Sequence, residues 1–215
     1  MKIAVIGATG FVGKHIVNEL IYRAYDVIGI ARHFPMEIVL NVTYKVLNIE
    51  NLTSLINLFK DVDAVISAYN AGWENPNIYD DYLKGAQQIQ DAVKLAGVKR
   101  FIVIGGAGSL WVNKTTQVID TPEFPKDYYL GANAARNYLE IIKQESDLDW
   151  SFFSPAVEMH QGITTGRTGN YRLGKDEPVL DDNDRSILSV EDLAVVVVDE
   201  LENNKHIRMR FTAAY

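Results

Sequence analysis

Lys2-Ile-Ala-Val-Ile-Gly7-Ala-Thr-Gly10-Phe-Val-Gly13 reads as a strand, a turn and the start of a helix within twelve residues. The apolar run Ile3 to Ile6 is a short buried strand, and an amphipathic helix follows from about Phe11 to Ala24. Three glycines at this spacing have separate physical jobs. Gly7 permits the tight turn, Gly10 lets a pyrophosphate come close to the backbone, and Gly13 lets the helix pack close to the strand. Ala8, Thr9, Phe11 and Val12 complete the turn and the first helical residues. Their free N–H groups, with the positive end of the helix dipole, favour an anion. The stretch predicts a dinucleotide-phosphate cradle. It specifies a ligand class and no reaction.

Outward from this cradle, strand-like and helix-like segments alternate. Strands are expected near Lys2–Ile6, Asp26–Ala31, Tyr44–Leu47, Ala64–Ala68, Arg100–Gly105 and Trp150–Ser154. Helices are expected near Phe11–Ala24, Leu52–Phe59, Ile78–Ala96 and Tyr128–Gln144, with a last helix over Val190–Leu201 and a short strand near Ile207–Thr212. Continuous apolar strands such as Phe101-Ile-Val-Ile104 suit a parallel sheet covered on both faces. The alternation predicts a doubly wound α/β fold of Rossmann type, a single domain over residues 1–215. Two stretches are long for loops, Gly106–Lys126 and the glycine-rich Pro155–Arg185. Both leave the carboxyl ends of strands, the edge where open α/β sheets bind ligands. They are expected to form the substrate side, with 155–185 and the carboxyl-terminal segment making a small substrate-binding lobe.

Composition narrows the function. The chain is 47% hydrophobic and carries a net charge of −7, which argues against nucleic acid as a partner. It has no cysteine, so neither disulfides nor thiol chemistry. The four histidines are scattered without metal-ligand spacing, so no metal site is expected. No apolar run reaches membrane-spanning length, and the amino terminus is a strand and turn rather than a signal peptide. The expectation is a cytoplasmic protein acting on a small molecule, away from membranes.

The choice of dinucleotide is made at the end of the second strand, where an acidic residue holds the ribose of NAD and an arginine accommodates the 2′-phosphate of NADP. Asp26 precedes that strand, five residues or roughly 17 Å from the nucleotide edge. Arg32 and His33 follow it at the correct edge. Arg32 is therefore expected to meet a 2′-phosphate, so NADP is the expected cofactor, with NAD as the alternative. Asn48 and Ile49 after the third strand are expected to border the adenine. Ser67, Ala68, Tyr69 and Asn70 after the fourth are placed along the ribose and diphosphate.

These motifs resemble the extended and atypical short-chain dehydrogenase/reductases. The similarity rests on Gly7-Ala-Thr-Gly10-Phe-Val-Gly13, Asp63-Ala-Val-Ile-Ser-Ala68, Val98-Lys-Arg-Phe-Ile-Val-Ile-Gly-Gly106, Phe153-Ser-Pro-Ala156 and Ile187-Leu-Ser-Val-Glu-Asp-Leu-Ala194. Within that group the chain looks like the small NAD(P)-binding proteins named after NAD-dependent epimerases/dehydratases, relatives of flavin and biliverdin reductases. The resemblance adds Gly105, Ser154 and Pro155 to the cofactor-binding set. It also implies a serine after the fifth strand and a Tyr-x-x-x-Lys pair on the next helix. Ser109 and Tyr129 take the first two roles, but Asn133 stands where the lysine belongs. An asparagine has no charge with which to tune a phenol, although it can hydrogen-bond a ribose hydroxyl.

The sequence therefore supports an oxidoreductase transferring hydride between the nicotinamide and a flavin-like, quinone-like or carbonyl acceptor. A nucleotide-sugar epimerase or dehydratase and a non-catalytic NADP(H) sensor are the alternatives. Arg167 and Arg172 are candidates to meet an anionic substrate, and Glu158 and His160 are candidate pocket groups. Trp73, Tyr79 and Trp111 are candidates to roof a flat ligand.

Overall fold

The computed structural model describes all residues, 1–215. Eight strands form one sheet: β1 (Lys2–Ile6), β2 (Asp26–Ala31), β3 (Val42–Val46), β4 (Ala64–Ser67), β5 (Arg100–Ile104), β6 (Asp149–Ser154), β7 (Arg172–Gly174) and β8 (Met209–Ala214). Their order across the sheet is β3-β2-β1-β4-β5-β6-β8-β7. All neighbours are parallel except β7 and β8. Five helices cover the faces: α1 (Phe11–Tyr22), α2 (Leu52–Phe59), α3 (Ile78–Leu95), α4 (Tyr129–Ile142) and α5 (Val190–Asn203). This is the doubly wound parallel architecture expected from the sequence.

The burial pattern explains the layering. Strands β4, β5 and most of β6 are buried at every position, so successive side chains feed opposite cores. Val65, Phe101, Trp150 and Phe152 point toward α2, α3 and α4. Ile66, Ile102, Phe153 and Phe211 point toward α1 and α5. Each fully buried Ile or Phe contributes about 1.5–3 kcal/mol over its exposed state, so both helical layers are held by the alternation itself.

The last strand is Met209–Ala214, two residues beyond the expected Ile207–Thr212, and three further departures from sequence expectation stand out. The third strand is Val42–Val46, shifted toward the amino terminus from Tyr44–Leu47, because it is an edge strand with no buried residue to fix its register. The stretch Pro155–Arg185 is not all loop: Arg172–Gly174 adds an antiparallel edge strand to β8. The fourth helix begins at Tyr129, after a short 3₁₀ turn over Lys126–Tyr128.

Winding reverses between β1 and β4, so their carboxyl ends open a crevice at the switch point. No helix is long and apolar enough to cross a membrane. No group of three or more metal-ligating side chains converges in the chain.

Candidate functional site

The turn between β1 and α1 sits in that crevice. Gly7 has φ +75°, and a Cβ there would lie 2.5 Å from the Ala68 carbonyl oxygen on β4's side of the crevice. A Cβ on Gly13 would lie 2.1 Å from the Gly7 carbonyl oxygen, so the helix can approach its own strand only with glycine here. Gly10 is different. It has ordinary φ of −76°, and an added Cβ would meet only the Gly7 carbonyl oxygen, at 3.3 Å. That approach is tight but far less severe than at Gly7 or Gly13, so the protein's own packing demands less of Gly10, and a ligand seated on the turn would demand more. The N–H groups of Gly7 and Ala8 donate to the Ile30 carbonyl of β2, at 2.9 and 3.2 Å, and Gly10 donates to Gly7 at 2.9 Å. Gly10 caps α1 without a side-chain hydrogen bond. The helix's first N–H groups are therefore left for an anion. Thr9 and Gly10 are exposed, with Phe11 and Val12 half-buried beside them. The residues fit a dinucleotide pyrophosphate.

A cavity of about 410 Å³ lies at the carboxyl ends of β2, β3 and β4. Five of the residues named from the sequence line it together: Arg32, His33, Asn48, Ile49 and Tyr69. Arg32 is exposed and makes neither a hydrogen bond nor an ion pair. Tyr69 is held by its hydroxyl, which donates to the Asp81 carbonyl at 3.0 Å, and by stacking on Tyr82. Burial and the nearby Asp81 push its phenol up to about 12. Gly85 of α3 makes room for that ring. Sequence reasoning missed the far wall, where Glu50, Lys84 and Gln88 line the cavity. Gln88 donates to the Ile49 carbonyl at 2.8 Å and fixes that loop. Its only sequence signal was its position on the inward side of α3.

The other cofactor-side residues lie at strand ends. Ser67 is buried at the end of β4, Ala68 donates its N–H to Ile6 at 2.9 Å, and the Asn70 side chain accepts from the Gly72 N–H at 2.7 Å. Gly105 accommodates the Phe152 ring, and its N–H donates to the Phe153 carbonyl at 2.8 Å. Ser154 and Pro155 are buried at the end of β6, and the Ser154 hydroxyl has no partner.

Two of the three catalytic candidates, Ser109 and Asn133, belong to one polar chain, and Tyr129 stands outside it. Tyr129 is the first residue of α4 and is 41% exposed, so it does not pack into the core. Asn133, one turn on, is half-buried. Its side-chain oxygen accepts from two nitrogens of Arg136, at 3.1 and 2.7 Å. Arg136 also reaches Asp120 at 2.9 Å and the Gln117 side-chain oxygen at 3.3 Å. The Gln117 amide nitrogen donates to the Ser109 carbonyl at 3.1 Å. Ser109 is itself buried, and Arg210 of β8 donates to its carbonyl at 2.6 Å and to its hydroxyl at 3.2 Å. Arg210 closes the chain on Asp176. Both long connections, 106–126 and 155–185, are thus tied to the last strand.

The remaining candidates are accounted for by contacts within the protein. Arg167 is engaged within the protein: it forks onto Glu19 of α1 at 2.8 and 2.9 Å and lies over the Tyr22 ring. Arg172 donates to the Leu180 and Tyr215 carbonyls. Glu158 pairs with Arg185, and His160 accepts from the Gly162 N–H. Trp73 packs edge-on to Tyr128 at 5.1 Å and fills the space over Gly131 of α4. Tyr79 accepts a 2.6 Å hydrogen bond from Asn137.

Residues 7–204 match the family model described as NAD(P)H-binding, and the match takes in the cradle, the cavity and the α4 cluster. The chain belongs to this NAD(P)H-binding family. A nicotinamide dinucleotide is its cofactor class. YwnB of Bacillus subtilis is 35% identical over 214 residues, covering 99% of this chain and 97% of the relative. A solved structure from Bacteroides thetaiotaomicron, named a "putative epimerase", superposes with TM-score 0.90 at 40% identity, over 100% of this chain and 96% of that one. A second, from Streptococcus pneumoniae and named a "putative NADH-flavin reductase", gives TM-score 0.86 at 32% identity, over 100% and 99%. The resemblance read from the motifs holds for the family and its Rossmann fold.

Proposed function

We propose that this protein is an NADP(H)-dependent oxidoreductase that moves hydride between the nicotinamide and a small, flat acceptor of flavin or quinone type. The observation that carries the reading is Arg32, an exposed guanidinium without a protein partner, lining the cavity at the carboxyl ends of β2, β3 and β4, on the sheet edge where the glycine turn also lies. A planar, permanently charged fork suits a 2′-phosphate. The cofactor supplies the hydride when bound; the protein supplies position and a dry surface. In this reading the Gly7–Gly13 turn holds the pyrophosphate and Tyr69 walls the adenosine side. The loops 106–126 and 155–185, with β8, shield the reacting face as the substrate side. Tyr129 stands at the start of α4 with Asn133, not lysine, one turn on, so no side-chain cation stands at that position to tune its phenol. Hydride delivery to a flavin or quinone ring needs no such protein acid, and this favours that acceptor class over a carbonyl. The name of the Streptococcus relative supports the flavin acceptor, while it names NADH rather than NADPH. That of the Bacteroides relative supports epimerase or dehydratase chemistry as the second reading. The cytoplasm, where NADPH is supplied, is the corresponding place of work.

The test is thermal unfolding without ligand, with NAD(H) and with NADP(H), followed by NADPH oxidation with flavin and quinone acceptors. A ligand at about 100 times its Kd stabilises by about 2.7 kcal/mol, a shift of roughly 5–11 °C for a chain of this size. A shift with NADP(H) alone and acceptor-dependent NADPH oxidation are expected. A shift with NAD(H) alone removes the Arg32 argument. Binding without turnover on any acceptor converts the enzyme into an NADP(H) sensor.

A further inference from the structure

The connection 70–77, between β4 and α3, is a partition with two faces. On one face Ala71 and Asn75 line the cavity. On the other, Trp73 lies over Gly131 in the first turn of α4. Helix α4 leads back to the amino end of β6, so its first turn stands at the carboxyl edge of the sheet, where Gly108, just beyond β5, faces Ala132. The partition is held by its own side chains. The Gly72 N–H donates to the Asn70 side-chain oxygen at 2.7 Å, and the Asn75 amide nitrogen donates to the Asp81 carboxylate at 2.8 Å. Trp73 touches the protein along one edge only: a Cβ added to Gly131 would lie 2.7 Å from the indole, and the Tyr128 ring meets it at 5.1 Å and 78°. Despite these contacts Trp73 is 55% exposed and Tyr128 50%. Two rings at right angles form an open apolar corner on the ligand edge, one strand along from the cavity.

We propose that Trp73 and Tyr128 are specificity-determining residues that stack a flat acceptor of two or three fused rings beside the cofactor. The inference rests on the proposed function and names the wall that reads the acceptor. A ring stacked on the indole meets Tyr128 edge-on, and aromatic quadrupoles favour both contacts. A small carbonyl compound covers little of this surface, so the corner discriminates against it. Gly131 belongs to the device, because any side chain there drives the indole out of the corner. The exposed and charged Glu74, Lys126 and Asp127 border the patch and confine it to the size of a small ligand. A protein partner needs a far larger face, on the order of 800 Å².

The experiment compares the wild type with Trp73→Ala, Trp73→Phe, Tyr128→Ala and Gly131→Ala. FMN and menadione are titrated into each protein with NADP⁺ present. NADPH oxidation is then followed with both, and with single-ring benzoquinone. Trp73→Ala and Tyr128→Ala should each weaken FMN and menadione about three- to tenfold and raise their KM alike. Trp73→Phe should recover most of the loss. Gly131→Ala keeps the indole but displaces it, and should behave like Trp73→Ala. Alanine is the better helix former, so a weakened helix does not explain that result. NADPH affinity should stay within about twofold, and benzoquinone turnover should change less than turnover of the larger acceptors. The proposal is overturned if Trp73→Ala binds FMN and menadione like the wild type, or if NADPH weakens equally. It is also overturned if the variant changes the oligomeric mass in solution and leaves acceptor binding intact. A wild type that neither binds nor reduces FMN or menadione defeats the proposed acceptor class instead, and the two failures are distinct.

Discussion

The ligand edge formed by the Gly7–Gly13 turn and Arg32 and the loop around Gly166–Gly169 each combine glycine with arginine, and they use them in opposite ways. At the ligand edge, Arg32 beyond β2 has no partner, and an added Cβ on Gly10 would meet only the Gly7 carbonyl oxygen. In the loop, Gly166 and Gly169 adopt φ of +75° and +73°, Arg167 is forked onto Glu19, and the N–H groups of Thr168 and Gly169 donate to the Asp192 carboxylate at 2.9 and 2.8 Å. The Ser189 hydroxyl donates to the Gly166 carbonyl at 2.7 Å. One region leaves the first N–H groups of α1 and the Arg32 guanidinium without partners; in the other the arginine fork and the loop's N–H groups are largely taken up. A glycine-rich stretch with an arginine is therefore a ligand site only where its polar groups lack partners elsewhere in the chain. The contrast yields four tests.

The largest effect is expected in the turn. Gly13→Val drives side-chain atoms into the Gly7 carbonyl, and overpacking of this kind costs about 1–3 kcal/mol or more. Calorimetry without ligand should show Tm lower by roughly 5 °C or more. Gly10→Val should keep Tm within about 2 °C yet bind NADPH more than about tenfold more weakly. A Gly10→Val protein with normal affinity would remove the pyrophosphate from this turn.

Next comes Arg32→Glu. Its NADPH affinity should fall by about 30- to 100-fold, the scale of a lost charged hydrogen-bonding partner. NADH affinity and Tm should hardly move, and direct titration of both dinucleotides checks this. Retained preference for NADPH would reassign Arg32 to the solvated surface.

A smaller effect is expected from Arg167→Met. Freeing the loop from Glu19 should lower Tm by about 2–5 °C and open residues 163–170 to protease. Cofactor affinity should stay as it was. If Tm is unchanged while acceptor turnover disappears, the loop arginine is a substrate ligand after all, and the contrast between the two regions collapses.

The mildest test is acid. Burial pushes the Glu19 carboxyl up, but hydrogen bonds from Arg167 and Arg23 outweigh it and hold the native value below the ordinary 4.5. The native state therefore binds fewer protons here than the unfolded chain. This pair contributes its full stability above about pH 4.5 and loses it as pH falls through the lowered native value. Thermal scans from pH 7 to 3 should show the wild type losing more stability in that window than Glu19→Gln. Parallel curves would assign the acid sensitivity elsewhere.

Legibility in the sequence tracked the range of the interactions. The strand β1 and helix α2 were readable to the residue, because their boundaries are set by adjacent glycine or by an asparagine cap, as Asn51 accepting from Ser54 shows. Five cavity residues were readable because the end of a parallel strand delivers the next few residues to the ligand edge of the sheet. Strand β7 was not: three residues, none buried, carry no periodicity. The roles of Arg167 and Arg210 were hidden because Glu19 and Ser109 lie 148 and 101 residues away along the chain. Arg136 was hidden differently. Its three-residue spacing from Asn133 was in plain view, but nothing in the sequence distinguishes a fork from a solvated neighbour.

The place of β8 in the sheet has a consequence for biosynthesis. Residues 209–214 lie between β6 and β7, with the Tyr215 hydroxyl donating to Asp192 at 2.8 Å. The edge of β6 waits for a segment that the ribosome releases after every other element of the sheet. At about 5–20 residues per second, translation holds that apolar edge uncovered for several seconds. A chain cut back to Arg208 should accordingly leave that edge of β6 open and be less stable and more prone to associate, whereas one cut back to Ala214 should keep it covered.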